Sequence, residues 1–210
     1  MKNGTGSPKS TDLTAFSASN TGIRLTWQRI ALWTILPLMC WLLMQIAHES
    51  GHMLAAWFTG GTVIKVDLHP LHISYTLVSP NPRAAVVCWS GPLIGSGLPV
   101  GLWLGAYWLS MRSVHYFQFF AGFCLIANGA YLGTVLIAPA GDTQELLRLG
   151  CSPHWMLLFG AITLPAGFWL WNGLGRKFGM GIDAAEISTK ETFVVWGCFI
   201  LFVVTELVVF

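Results

Sequence analysis

Long stretches without a charged side chain are the feature that most limits how this sequence can fold. Residues 30–47 contain no Asp, Glu, Lys, Arg or His. Across the 210 residues, charged types make up only 10% and hydrophobic types 54%, whereas about 25% of the residues of an average soluble domain are charged. A soluble fold of this size could not cover its surface with so few charges, so the composition predicts that lipid is the solvent.

Five apolar segments follow one another along the chain: 27–58, 84–109, 116–138, 155–171 and 192–210. A hydrocarbon layer of about 30 Å requires about 20 helical residues, and most of these segments reach that length. The sequence therefore predicts an all-α, multi-pass integral membrane protein with about five transmembrane helices, folded as one domain over residues 26–210. Pro37, Pro99 and Pro165 lie within the spans and predict kinks or local breaks.

Two segments differ from the spans. Residues 1–25 are rich in Ser, Thr, Gly and Asn, which predicts a disordered tail. Residues 62–78 follow Gly60-Gly61 and contain two runs rich in β-branched residues, 63–68 and 73–78. Such runs, separated by a short polar segment, predict a small β-hairpin at the membrane surface.

One group of ionisable residues interrupts the first apolar segment. His48 and His52 are four residues apart, and this spacing places both imidazoles on one face of a helix, where they can bind one metal ion. Glu49 follows the first histidine, as the general base does in zinc proteases of the H-E-x-x-H type. The apolar run resumes at Met53, so the motif lies roughly 9–15 Å before the end of the helix. Ionisable residues at such a depth are normally functional.

A zinc site with two histidines and one water needs a third protein ligand. Asp142, at the end of the third predicted span, is the best candidate, and Glu145 is its competitor. The first and third spans end on the same side of the membrane, which places Asp142 at the depth of the histidines. Asp142 could instead cap the helix predicted over residues 143–149.

In these features the chain resembles the site-2 protease family of intramembrane zinc metalloproteases. The resemblance covers roughly residues 30–150 and rests on the H-E-x-x-H motif, the strand region after Gly60-Gly61, Ser90-Gly91-Pro92, and the Pro-containing turn that carries Asp142. It implies three core spans and one Zn²⁺ per chain, bound by His48, His52 and Asp142. It also implies that Glu49 is catalytic and that the substrates are transmembrane or membrane-proximal segments. An unwound substrate is then expected to pair with the strand region.

The chain departs from the family pattern at two places. The family usually has Gly after the Asp, whereas Gly141 precedes Asp142 here and Thr143 follows it. An Asn that often follows the Gly-Pro pair is replaced by Gly95 or Ser96. Asn128, in the third span, is a candidate polar support for the site, as are Gly91 and Pro92 for substrate binding; the alternative for Asn128 is an interhelical hydrogen bond.

Two other classes of function stay open at this point. A protease-like scaffold would bind membrane helices without cutting them, and a metal or small-solute transporter would line a path with its histidines and acids. A transporter is less favoured because the sequence shows no inverted repeat. The net charge of +2 says little about nucleic acid, but Lys and Arg are scattered and form no basic run, so no nucleic-acid partner is expected. The expected partners are the lipid bilayer and a membrane-protein or peptide substrate.

The orientation in the membrane also stays open. Lys and Arg favour the cytoplasmic side, and their distribution places the N-terminus there and the motif near the opposite face. The resemblance implies a site nearer the cytosol.

Overall fold

The computed structural model describes residues 27–180 and 187–209, and the predicted tail lies outside these ranges. Within them the chain is mainly helical, with one small antiparallel sheet. The elements in chain order are α1 (Trp27–Thr59), β1 (Val63–Asp67), β2 (Tyr75–Val78), α2 (Ala84–Trp108), α3 (Val114–Gly133), α4 (Asp142–Arg148), α5 (Pro153–Trp171), a 3₁₀ helix (Leu174–Phe178) and α6 (Thr189–Val209).

Four of these helices, α1, α2, α5 and α6, are long and apolar enough to cross a membrane. Among the described residues, α3 is not one of the four, although it corresponds to the third predicted span. It is covered by α2 on one side and α5 on the other. A helix in that position contacts protein more than lipid, so its composition need not be that of a span exposed to lipid.

Helices α1, α2 and α3 pack against one another and build the site. Gly51 of α1 faces Ser90 of α2, and His48 faces Gly95, so α1 and α2 run in opposite directions. Gly95 also faces Asn128 of α3. Small residues at these crossings allow the backbones to approach closely, as is common between membrane helices.

The contact between α3 and α5 also depends on glycines. A Cβ on Gly160 would lie 2.7 Å from the Gly129 carbonyl oxygen. One on Gly167 would lie 2.8 Å from the carbonyl oxygen of Gly122. The short helix α4 is held by Leu146, which is fully buried and packs in one cluster with Cys88 of α2 and with α3 residues. Burial of a leucine contributes about 1.5–3 kcal/mol, so this contact fixes the element that begins with Asp142.

The β-hairpin predicted from the sequence is present, with Val63 paired to Val78 and Asp67 to Tyr75. The two faces of the hairpin carry different kinds of side chain. The face with the hydroxyl groups of Ser74 and Thr76 is partly buried against α1. The residues that alternate with them include exposed apolar side chains, Ile73 at 77% and Leu77 at 51% exposed, next to Lys65, which is paired with Leu77. A hairpin in water would favour the opposite arrangement.

Two details differ from the sequence-based expectation. Helix α3 ends at Gly133, whereas the third span was predicted to extend to residue 138. The apolar residues 134–137 form a turn and are followed by Pro139, which has no N–H to continue a helix. In addition, the local breaks predicted at Pro37, Pro99 and Pro165 are absent, since α1, α2 and α5 continue through these residues. Neighbouring groups in packed helices can compensate for the backbone hydrogen bond that a proline removes.

Candidate metal centre

The two histidines of the motif lie on one face of α1, directed toward α2 and α3. His52 is buried and 12% of the His48 side chain is exposed. Gly51 sits between them at the crossing with α2, where a Cβ would overlap the carbonyl oxygen of Ser90. Gly51 therefore brings the histidine face of α1 against α2.

Hydrogen bonds determine which ring nitrogen of each histidine carries the proton. His52 Nδ1 lies 2.7 Å from the carbonyl oxygen of Val87, and a carbonyl can only accept, so Nδ1 carries the proton. His48 Nδ1 lies 2.8 Å from Asn128 Oδ1, and the Asn128 amide is oriented by its own bond from Nδ2 to the Cys124 carbonyl. Both rings thus donate through Nδ1, which leaves Nε2 as the atom that can bind a metal.

Asp142 brings a carboxylate oxygen to the two Nε2 atoms. Its Oδ2 lies 2.9 Å from His48 Nε2 and 3.3 Å from His52 Nε2. In a tetrahedral site with bonds of 2.0–2.1 Å, two ligand atoms are about 3.3–3.4 Å apart. The distance from Asp142 Oδ2 to His52 Nε2 matches this value, and the distance to His48 Nε2 is shorter than it by about 0.4–0.5 Å.

The chemistry of these three atoms also fits a cation. Two nitrogen lone pairs and one carboxylate oxygen converge, and they repel one another unless a metal ion or additional protons lie between them. Where protons rather than a metal ion lie between them, burial raises the pKa of the Asp142 carboxyl, but the hydrogen bonds that His48 and His52 then donate outweigh burial and hold that pKa at about 2. The carboxyl group is therefore ionised near neutral pH, the form that binds a metal.

The structure distinguishes Asp142 from Glu145, the other candidate for the third ligand. Glu145, one turn along α4, points away toward Arg148, with an oxygen 3.6 Å from Arg148 Nη1, and its side chain is 44% exposed. Asp142, and not Glu145, is the α4 carboxylate that reaches the histidines.

Glu49 lies next to the same centre but makes different contacts. One possible ligand atom from each of His48, Glu49 and His52 lies within 4.8 Å of the others, so proximity alone would permit Glu49 as a ligand. However, its Oε1 accepts a hydrogen bond from Ser74 Oγ and its Oε2 one from Thr76 Oγ1, each at 2.7 Å. Both oxygens of Glu49 are therefore held by the hairpin, and each retains one further acceptor site.

The remaining candidates from the sequence, on α2, differ in how close they lie to the histidines. Gly91 faces both rings, and a Cβ there would be 2.7 Å from His48 Nε2. Pro92 is fully buried in α2 and has no hydrogen-bond donor to offer a substrate. A Cβ on Gly95 would lie 3.1 Å from the amide nitrogen of Asn128, so this glycine gives Asn128 the space to reach His48.

Several site residues were not found by sequence reasoning. Ser74 and Thr76 belong to the predicted hairpin, and their alternation was a usable signal for two hydroxyl groups on one strand face. The Ser74 amide also donates to Gln45 Oε1 at 3.1 Å. No sequence signal identified the Val87 carbonyl, because every residue has one, or Tyr131, whose hydroxyl contacts the Asp142 amide at 2.7 Å.

The chain was compared with protein families, curated proteins and solved structures, and no family model, curated protein or solved structure matches it.

Proposed function

We propose that this protein is an intramembrane zinc metalloprotease that hydrolyses peptide bonds in transmembrane or membrane-proximal segments of other proteins. The observation that carries the proposal is the convergence of His48 Nε2, His52 Nε2 and Asp142 Oδ2 at 2.9 and 3.3 Å, with the Glu49 carboxylate beside them. Two imidazoles and one carboxylate are the ligand set of many catalytic zinc sites, in which water takes the fourth position.

The proposed mechanism assigns separate tasks to the side chains. A zinc ion held by the three ligands would act as a Lewis acid toward the peptide carbonyl and make a water molecule nucleophilic near neutral pH. Glu49 accepts a proton from that water as its oxygen attacks the carbonyl carbon. Glu49 then delivers the proton to the amine that leaves when the C–N bond breaks. Asn128 and the Val87 carbonyl hold the two imidazoles in the required tautomer.

A membrane location is supported by where the apolar side chains lie. The helices α1, α2, α5 and α6 are long enough to span a bilayer, and many of their large apolar residues are exposed. We propose that α3 is also embedded, enclosed by α2 and α5. The hairpin has Ile73 and Leu77 exposed on the same side as the Lys65–Asp67 ion pair, a mixture of apolar and charged groups that is suited to the membrane surface.

The hairpin also gives a physical route for substrate binding. Strand β2 contacts the Glu49 carboxylate through Thr76, and Ser74 makes the same kind of contact immediately before the strand. A substrate segment that unwinds and pairs with this sheet would therefore lie close to Glu49. Unwinding is required because the peptide groups of an intact helix are hydrogen-bonded internally and shielded from attack.

One observation favours the alternative of a catalytically silent scaffold. Both oxygens of Glu49 already accept hydrogen bonds from the hairpin. A general base needs at least one free lone pair, although each carboxylate oxygen has two acceptor sites. The two functions differ in one measurable respect, which is whether Glu49 is required for the appearance of substrate fragments.

The test combines metal content with a search for native substrates. Detergent-purified wild-type protein should contain about one zinc per chain, Glu49→Gln should keep it, and His48→Ala should lose it. New protein N-termini in membranes of native cells are then compared between the wild type and Glu49→Gln. Fragments that require Glu49 support the protease. Bound zinc with identical N-termini in both strains would favour the scaffold, and a wild type that binds no zinc would refute the metal centre.

A further inference from the structure

The position of Asp142 depends on a short loop with an unusual backbone. Asp142 is the first residue of α4, and Gly141 before it has φ +53° and ψ −126°. Side chains other than hydrogen are strained at positive φ. The position of the Asp142 carboxylate therefore depends on a backbone conformation that a glycine makes possible.

Tyr131, on the preceding helix, supplies the contact that holds the loop. Its hydroxyl oxygen accepts a hydrogen bond from the Asp142 amide at 2.7 Å and donates to the Ala140 carbonyl at 3.1 Å. Through these two bonds the Tyr131 hydroxyl connects Ala140 and Asp142, the residues on either side of Gly141. A Cβ on Gly141 would lie 2.5 Å from that hydroxyl oxygen, so the glycine is needed for space as well as for φ.

The residue that follows the aspartate completes the arrangement. Thr143 is fully buried, and its hydroxyl accepts from the Ala140 amide and donates to the Ala140 carbonyl, each at 2.8 Å. Ala140 is therefore held by Thr143 from one side and by Tyr131 from the other. Rotation of the loop about Gly141, which would move the Asp142 carboxylate away from the histidines, breaks these bonds.

We infer that Tyr131 is a positioning residue of the metal centre, which acts by fixing the backbone of Asp142. Its ring lies edge-on to His48, with centroids 5.9 Å apart, so one side chain contacts elements that carry two of the three ligands. Its only hydroxyl proton is used by the Ala140 carbonyl, which leaves none for a substrate oxygen. The inference rests on the proposed metal centre, but the contact itself can be tested without metal.

The first experiment measures the contact in metal-free protein. Tyr131→Phe keeps the ring and removes only the hydroxyl. Hydrogen exchange of a peptide that includes Asp142 should become faster in this variant, because the Asp142 amide loses its acceptor. Tyr107→Phe is the matched control, since Tyr107 is 64% exposed on α2 and its hydroxyl makes no hydrogen bond with another described residue. Unchanged exchange in Tyr131→Phe would overturn the inference.

The second experiment measures the consequence for metal binding. In competition with a chromophoric chelator, the zinc dissociation constant of Tyr131→Phe should rise about 10-fold or more, as is typical when support of a ligand is lost. The visible spectrum of the Co²⁺-substituted protein should change as well, whereas Tyr107→Phe should match the wild type in both. Wild-type affinity and spectrum in Tyr131→Phe would refute the positioning role. A wild type without zinc would refute the metal centre instead, and the exchange result would still decide the contact.

A double-mutant cycle gives a third, independent result. Gly141→Ala should weaken zinc binding through both the positive φ and the overlap with the Tyr131 hydroxyl. In the Tyr131→Phe background the overlap is removed and only the strain remains, so Gly141→Ala should weaken binding by a smaller factor there. If Gly141→Ala raised the zinc dissociation constant by the same factor in both backgrounds, Tyr131 and Gly141 would not be coupled.

Discussion

The Nδ1 atom of His48 lies 2.8 Å from Oδ1 of Asn128, although the two residues are 80 positions apart on different helices. This contact joins α1 to α3 at the depth of the candidate metal centre. Because Asn128 is only 1% exposed, an apolar side chain that fills its place would leave the Nδ1–H of His48 buried without an acceptor. The contact fixes both the tautomer and the direction of the His48 ring.

The first prediction concerns this support of His48. Asn128→Leu should raise the zinc dissociation constant about 10- to 100-fold, because the Nδ1–H of His48 then has no acceptor. Asn128→Asp is the matched variant, which retains an acceptor oxygen at the same position, and should bind zinc much more tightly than Asn128→Leu. Equal affinities in these two variants, measured by chelator competition, would contradict the role of the hydrogen bond.

The second prediction concerns the hydroxyl groups on Glu49. The double variant Ser74→Ala, Thr76→Val should keep its zinc but lose at least about 10-fold in the cleavage that depends on Glu49, because a hydrogen bond to a charged group contributes about 1.5–3 kcal/mol. Thr76→Ser should retain most of the activity, since it keeps the hydroxyl. Zinc content and the rate of fragment formation are the two measurements. Faster cleavage in the double variant would show that the hairpin restrains Glu49 instead of orienting it.

The third prediction concerns the crossing of α1 and α2. Gly51→Ala should lower the free energy of unfolding by about 1–3 kcal/mol or more, because the added methyl overlaps the Ser90 carbonyl oxygen and the helices must separate. Gly97→Ala is the control on α2, where nothing lies within 4 Å of an added Cβ. It should be neutral or stabilising by about 0.5–1 kcal/mol. Thermal unfolding in detergent compares the two, and equal midpoints would argue against the close packing.

The fourth prediction concerns the space in front of the histidines. A Cβ on Gly91 would lie 2.7 Å from His48 Nε2 and 2.5 Å from His52 Nε2, where the metal is expected to bind. Gly91→Ala should therefore lose most zinc binding, whereas Gly97→Ala should keep it. Circular dichroism checks that both variants remain helical. Normal zinc content in a folded Gly91→Ala protein would place the metal elsewhere.

Much of the architecture could be predicted because it depends on local patterns. The first span follows from the apolar segment 27–58, in which residues 30–47 carry no charge, and α1 occupies Trp27–Thr59. The hairpin follows from alternating β-branched residues. The end of the third span was predicted five residues too late, because an apolar composition is compatible with both a helix and the turn at residues 134–137. Hydropathy identifies residues that tolerate lipid, but it does not determine their backbone conformation.

The candidate site likewise has some features that could be predicted from the sequence and others that could not. The sequence alone determined that His48 and His52 share a face, because residues four apart on a helix always do, and that Glu49 lies next to them. Asp142 and Asn128 were already candidates in the sequence, but the tertiary structure decided between Asp142 and Glu145 and brought Asn128 of α3 to His48. Ser74 and Thr76 were found as partners of Glu49 only in the tertiary structure. Sequence spacing does not determine which side chains meet across packed helices, since that depends on where small residues such as Gly51 let the backbones approach.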